Sequence, residues 1–317
     1  MNPFKKKALK ALSRPINLKK NYEIYRKLQK AINPYFKPMY NLWDHKIMIG
    51  DREIPVRIFL PKTHGIPKVL IFFHGGGWVT GNIDSYTNVC ANMANQTKYM
   101  VISVDYRLAP ENPFPAGVED CYNVTREIFL NLKMLHCETE DITLIGDSAG
   151  GNLAAAVSLM ARDRGEFLPD RQILIYPATY NDHSENSPYP SVRENGTDYI
   201  LTSKRIQDYM DMYIQNEEDR YSPYVAPILA KHLSNQPETL IITAEYDPLR
   251  DEGEAYGIRL KESGNQVEIY RMEEALHGFF SLPWKSELVI KCYAIINEFL
   301  SDTGIEMENE HETEEKS

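Results

Sequence analysis

Apolar positions along the chain fall into short runs set off by turn residues. Residues 46–49, 56–60, 69–73, 100–104, 142–145, 173–176, 240–243 and 267–270 each have strand length and are rich in β-branched side chains; most are bounded by Gly, Pro or Asp. Between the later runs lie stretches long enough for helices, at 86–95, 117–135, 149–162, 251–263 and 285–300. Strands alternating with helices predict an α/β class, a mostly parallel eight-stranded sheet with helices on both faces. The first two runs have no helix between them, which predicts an antiparallel edge.

Two stretches break the rhythm. Residues 180–222 are polar, carry six tyrosines (Tyr180, Tyr189, Tyr199, Tyr209, Tyr213 and Tyr221) and predict a single helix at 204–213. An insertion of that length in an α/β domain is usually a lid or a binding segment. Residues 1–36 read as one or two helices broken near Pro15, with Phe4, Leu9 and Leu12 as a short apolar stripe among lysines. Such a stripe buries too little to form a stable membrane anchor alone. The tail over 301–317 is acidic and nearly devoid of large apolar residues, so it is expected to be disordered.

Composition narrows the function class. With 43% hydrophobic and 25% charged residues, the 317-residue chain is neither largely disordered nor a disulfide-stapled scaffold. A net charge of −10 opposes phosphate backbones, so no nucleic-acid partner is expected. Cys90, Cys121, Cys137 and Cys292 show no metal-ligand spacing and read as free thiols of a reducing compartment. Together with the lack of a secretory pattern, this predicts a cytoplasmic protein. No metal or other cofactor is expected.

The candidate chemistry sits at strand ends. Gly146-Asp147-Ser148-Ala149-Gly150 follows an apolar strand and opens an Ala-rich helix. A serine there needs a tight strand-to-helix turn that lifts its hydroxyl out of the sheet, and Gly146 and Gly150 leave room for it. His74-Gly75-Gly76-Gly77-Trp78 directly follows the strand at 69–73. Consecutive glycines bare N–H groups that can approach a developing oxyanion.

A serine nucleophile needs a base, and the base needs an orienting acid. Of the histidines after Ser148, His183 lies in the polar insertion, His311 in the tail, and His232 precedes the strand at 240–243. His277, in a loop after the last strand, is the base of choice. Asp247 and Glu245 both sit near the end of the preceding strand; Asp247 is preferred because it lies in the loop beyond it, free to turn toward His277.

These motifs together resemble the hormone-sensitive-lipase-like branch of the α/β-hydrolases, the bacterial carboxylesterases with H-G-G-G and G-D-S-A-G. Asp105-Tyr106-Arg107-Leu108-Ala109-Pro110-Glu111, Ser222-Pro223 with Ala226-Pro227, and Asp247-Pro248-Leu249-Arg250-Asp251-Glu252-Gly253 extend the likeness over roughly residues 45–300. The resemblance implies one hydrolase domain over residues 1–300, with a cap drawn from about 1–44 and 180–222. It implies Ser148, Asp247 and His277 as catalytic residues, and Gly75, Gly76 and Ala149 as the oxyanion hole. His74 would then brace the glycine loop, and Trp78, Phe279 and cap tyrosines would wall a pocket for short or medium acyl groups. The expected partner is a small-molecule ester, and an exposed edge strand could pair two copies into a homodimer. The rival readings are a serine peptidase or amidase on the same triad, and a non-catalytic small-ligand-binding module of the same fold.

Overall fold

Alternation along single strands divides the core in two. On strand β3 (Val69–Phe73), Val69, Ile71 and Phe73 face one cluster of buried side chains, and Leu70 and Phe72 face the other. All five are buried, as in a parallel strand covered on both sides. The computed structural model describes residues 18–32, 42–62 and 68–301. The apolar stripe of Phe4, Leu9 and Leu12, the break at Pro15 and the acidic tail beyond Ser301 lie outside the described residues.

Eight strands form one sheet. With β3 these are β1 (Leu42–Ile49), β2 (Arg52–Phe59), β4 (Met100–Val104), β5 (Ile142–Asp147), β6 (Arg171–Ile175), β7 (Glu238–Tyr246) and β8 (Val267–Leu276). Their order is β1-β2-β4-β3-β5-β6-β7-β8. β1 and β2 pair antiparallel across a tight turn at Gly50, whose φ of +58° suits glycine. β2 is also antiparallel to β4, and every later pair is parallel.

Helices cover both faces. α2 (Thr87–Thr97) and α8 (Glu287–Leu300) bury Cys90, Met93, Cys292 and Ile296 with Leu70 and Phe72. α3 (Ala116–Leu130), α4 (Ala149–Arg164) and α7 (Arg250–Glu262) close the opposite face. α4 runs behind β5 with residues 149–161 all buried, because its alanines let the helix approach the sheet closely. All four cysteines are free and buried. Among the described residues no helix is long and apolar enough to cross a membrane.

The insertion holds more helix than its pattern predicts. Besides α6 (Ser203–Tyr213), where 204–213 was expected, it contains α5 (Pro190–Asn195). Six residues are too few to show a helical period; Pro190 at the first helical position is the one local signal. The N-terminal helix α1 (Leu18–Ile32) packs on α6, where Lys19 Nζ lies 2.9 Å from Asp211. Arg26 of α1 donates to the carbonyls of Val79 and Ala109 and pairs with Glu111. The two segments grouped by resemblance as a cap therefore touch each other, and α1 grips the segment after the glycine loop.

Candidate active site

Ser148 occupies the single residue between β5 and α4, with φ 57° and ψ −119°. That region is unfavourable for a residue with a Cβ, and the surrounding packing holds it there. Its N–H donates to Ile175 O at 2.8 Å, and Asn152 N–H donates to its carbonyl at 3.0 Å. The motif glycines serve by absence of bulk. A Cβ on Gly146 would fall 2.2 Å from Gly150 O, and one on Gly150 would fall 1.9 Å from Phe73 O. Neither adopts a positive φ.

The structure brings Ser148, His277 and Asp247 together across 129 residues of sequence. Ser148 Oγ lies 2.9 Å from His277 Nε2. His277 Nδ1–H donates to Asp247 Oδ2 at 2.6 Å. Asp247, fully buried just past β7, also accepts Leu249 N–H at 2.9 Å. His277 follows β8, is largely buried, and rests on the Tyr176 ring at 4.7 Å. Glu245 is used elsewhere: its carboxylate accepts the N–H of Glu274 where β7 and β8 slip register. A hydroxyl at one ring nitrogen of an imidazole and a carboxylate at the other can move a proton off the hydroxyl without leaving an unpaired imidazolium.

The glycine loop corrects one expectation. Gly75 N–H is not a free donor, because it is taken by Asp147 Oδ1 at 2.8 Å. The carboxylate just before Ser148 lies directly under the loop and captures its first N–H. Among the described residues, the N–H groups of Gly76, Gly77 and Ala149 have no acceptor. Of the three N–H groups expected as donors, those of Gly76 and Ala149 are open and that of Gly75 is taken, while Gly77 offers a further open one. Gly76 and Gly77 both hold a positive φ, 122° and 60°. His74 is fully buried, stacks on Tyr106 at 4.3 Å and donates Nδ1–H to Gly75 O at 2.8 Å. Burial pushes its pKa down to about 4, so it braces the loop as a neutral ring.

Trp78 and Phe279, expected to wall a pocket, expose almost no surface. Trp78 is 3% exposed and stacks on Tyr213 at 4.7 Å, and Phe279 is 2% exposed against the edge of Tyr176. Their area is spent on docking α6 and the His277 loop. The side chain that does lie over the loop is Tyr209: a Cβ on Gly77 would meet its ring at 2.4 Å. Tyr209 and Tyr213, four residues apart on one face of α6, straddle Gly77 and Trp78, a spacing visible in the sequence.

Asp147 sits beneath this arrangement, fully enclosed, with Tyr86 Oη at 3.1 Å and Tyr176 Oη at 3.5 Å from Oδ2. Burial lifts its pKa to about 6, against the lowering pull of Gly75 N–H, Tyr86 and His277. The folded pKa exceeds the unfolded one, so the group favours folding below about pH 4 and loses that contribution as pH rises through 6. Above pH 6 the buried charge opposes folding by about 2–3 kcal/mol. Asp147→Asn keeps an acceptor for Gly75 N–H without the charge. Its melting temperature at pH 8 is expected to exceed that of the parent by about 5 °C, with the gap closing toward pH 5. A gap that ignores pH would contradict this account.

Comparison with known proteins agrees with the geometry. A family model described as alpha/beta hydrolase fold matches residues 70–281. The arylesterase of Saccharolobus solfataricus is 39% identical over 253 residues, covering 80% of this chain and 81% of that protein. The carboxylesterase NlhH of Mycobacterium tuberculosis is 36% identical over 235 residues, 73% of this chain and 72% of its own length. The solved esterase of Pyrobaculum calidifontis superposes with a TM-score of 0.84 at 35% identity, covering 95% of this chain and 98% of that one.

Proposed function

We propose a function from one premise: the chain belongs to the α/β-hydrolase family. Like the esterases it matches, it is a carboxylic ester hydrolase. Our reading of its mechanism assigns Ser148 as nucleophile, His277 as base and Asp247 as the acid that orients it. Ser148 Oγ attacks the ester carbonyl while its proton passes to His277 Nε2. Asp247 holds the Nδ1–H tautomer and stabilises the imidazolium. The carbonyl oxygen, now negative, is held by the N–H groups of Gly76, Gly77 and Ala149, the last at the positive end of α4. His277 returns the proton to the departing alkoxide as the C–O bond breaks, which leaves an acyl-Ser148. Water repeats the sequence and releases the acid. The observation that carries this reading is the unbroken chain Ser148 Oγ, His277, Asp247 at 2.9 and 2.6 Å.

The substrate class we assign is small-molecule esters of short or medium acyl chains. Tyr209 supports this reading, since its ring rests on Gly77 and limits the space over the glycine loop. With p-nitrophenyl esters of increasing length, kcat/KM is expected to peak at about four to eight acyl carbons and to fall at least tenfold by about sixteen. A maximum at the long end would refute the size assignment. The four buried, free thiols support a reducing compartment, and we read the enzyme as cytoplasmic. Finding the chain outside the cell membrane would contradict that.

A further inference from the structure

The loop that carries Asp247 is held from behind by a helix of the insertion. Asn195, the last residue of α5, is 4% exposed. Its side-chain amide donates to the carbonyls of Glu245 and Asp247, at 3.2 Å each. One turn earlier, the hydroxyl of the fully buried Ser191 donates to Pro248 O at 2.8 Å and accepts Asp251 N–H at 3.2 Å. Ser191 N–H donates to Asp251 Oδ2 at 2.8 Å. Within the insertion, α5 is fixed in turn to the start of α6, where Ser203 bonds Val192 O and Gly196 O at 2.9 Å each.

These contacts involve none of the reacting atoms. Their route to the chemistry runs through the position of Asp247 Oδ2, 2.6 Å from His277 Nδ1. The carboxylate follows the backbone from which it springs, and the Asn195 amide bridges that backbone on both sides of Tyr246. Small losses of alignment in such a relay cost rate more than binding.

We propose that Asn195 is a positioning residue of the reaction: α5 clamps the bend that carries Asp247, so the insertion that lays Tyr209 over the glycine loop also aligns His277. This rests on the reading of Asp247 as the acid. It differs from an ordinary packing role in one respect: its effect on rate requires the Asp247 carboxylate.

The test is a double-mutant cycle on the full chain, with kcat and KM for a p-nitrophenyl ester measured per mole of folded protein. Asn195→Ala is expected to lower kcat about tenfold with KM changed less than about twofold. In an Asp247→Ala background the same change is expected to alter kcat less than about twofold, because no carboxylate remains to misplace. Equal losses in both backgrounds, or no loss in the first, would overturn the proposal and leave the assignment of Asp247 standing. An Asp247→Ala enzyme with undiminished kcat would overturn that assignment and the proposal together. Should Asn195→Ala not fold, Ser191→Ala removes the other tie with almost no change in volume. Its loss of about threefold in kcat should likewise disappear once Asp247 is gone.

Discussion

Ser148→Ala is expected to lower kcat on a short p-nitrophenyl ester by about 10⁴-fold or more, with a melting temperature within about 2 °C of the parent. The loss is large because, among the described residues, the oxygen hydrogen-bonded to His277 Nε2 is that of Ser148. What remains is the rate that the oxyanion donors and binding supply by themselves. Stability should hold because the hydroxyl's described bond is the one to His277, and alanine adopts the φ of 57° at no greater cost than serine. The mutant should also fail to take up a fluorophosphonate probe, which modifies the wild-type serine stoichiometrically. His277→Ala should cost nearly as much alone, and the double mutant little more than either, since the two act as one unit. A Ser148→Ala protein that kept a tenth of its turnover would end the triad reading.

Much of this site was legible before any coordinates because its residues are tied to strand ends. β3 and β4 span the residues that the apolar runs mark, since strands buried on both faces are almost wholly apolar; Ser103 is the one polar residue in the two, and it is buried. β7 and β8 run further than their apolar runs, to Tyr246 and Leu276, because their ends mix acidic and apolar residues across a register slip where Glu274 adopts φ 59°. Even so, the order Ser148, Asp247, His277 along the chain survives any such boundary error. What the sequence could not show was that the buried Asp147 takes the N–H of Gly75, one of the three expected donors. It also could not separate aromatic residues that wall a pocket from those that glue elements together. Trp78 and Phe279 flank the chemistry in sequence, yet tertiary packing buries both. Helix α5 was missed for its brevity, and with it the tie from Asn195 to the Asp247 bend.

Gly150→Ala should do to the fold what Ser148→Ala does to the rate. The added methyl would lie 1.9 Å from Phe73 O, 2.6 Å from Phe73 C and 2.8 Å from His74 C. All three are backbone atoms, so no rotamer change relieves the overlap. Relief requires α4 to separate from β3, two elements at the centre of the core. That costs at least about 3 kcal/mol, a large share of a domain's net stability. The melting temperature is expected to fall by about 8 °C or more, or the protein to be recovered only as aggregate. Activity should suffer beyond the loss of folded protein, because the atoms forced away begin the glycine loop whose N–H groups face the reaction. Gly253→Ala is the matched contrast. That glycine is also buried in a helix, but its nearest neighbours would be side-chain atoms of Thr243 and Pro177 at 3.4–3.6 Å, an ordinary contact distance. Alanine there should raise stability by about 0.5–1 kcal/mol through helix propensity alone. If thermal scans showed both substitutions shifting the midpoint alike, backbone proximity would not be what demands glycine at the elbow. Backbone conformation would be a poor substitute explanation, since neither Gly146 nor Gly150 uses a positive φ.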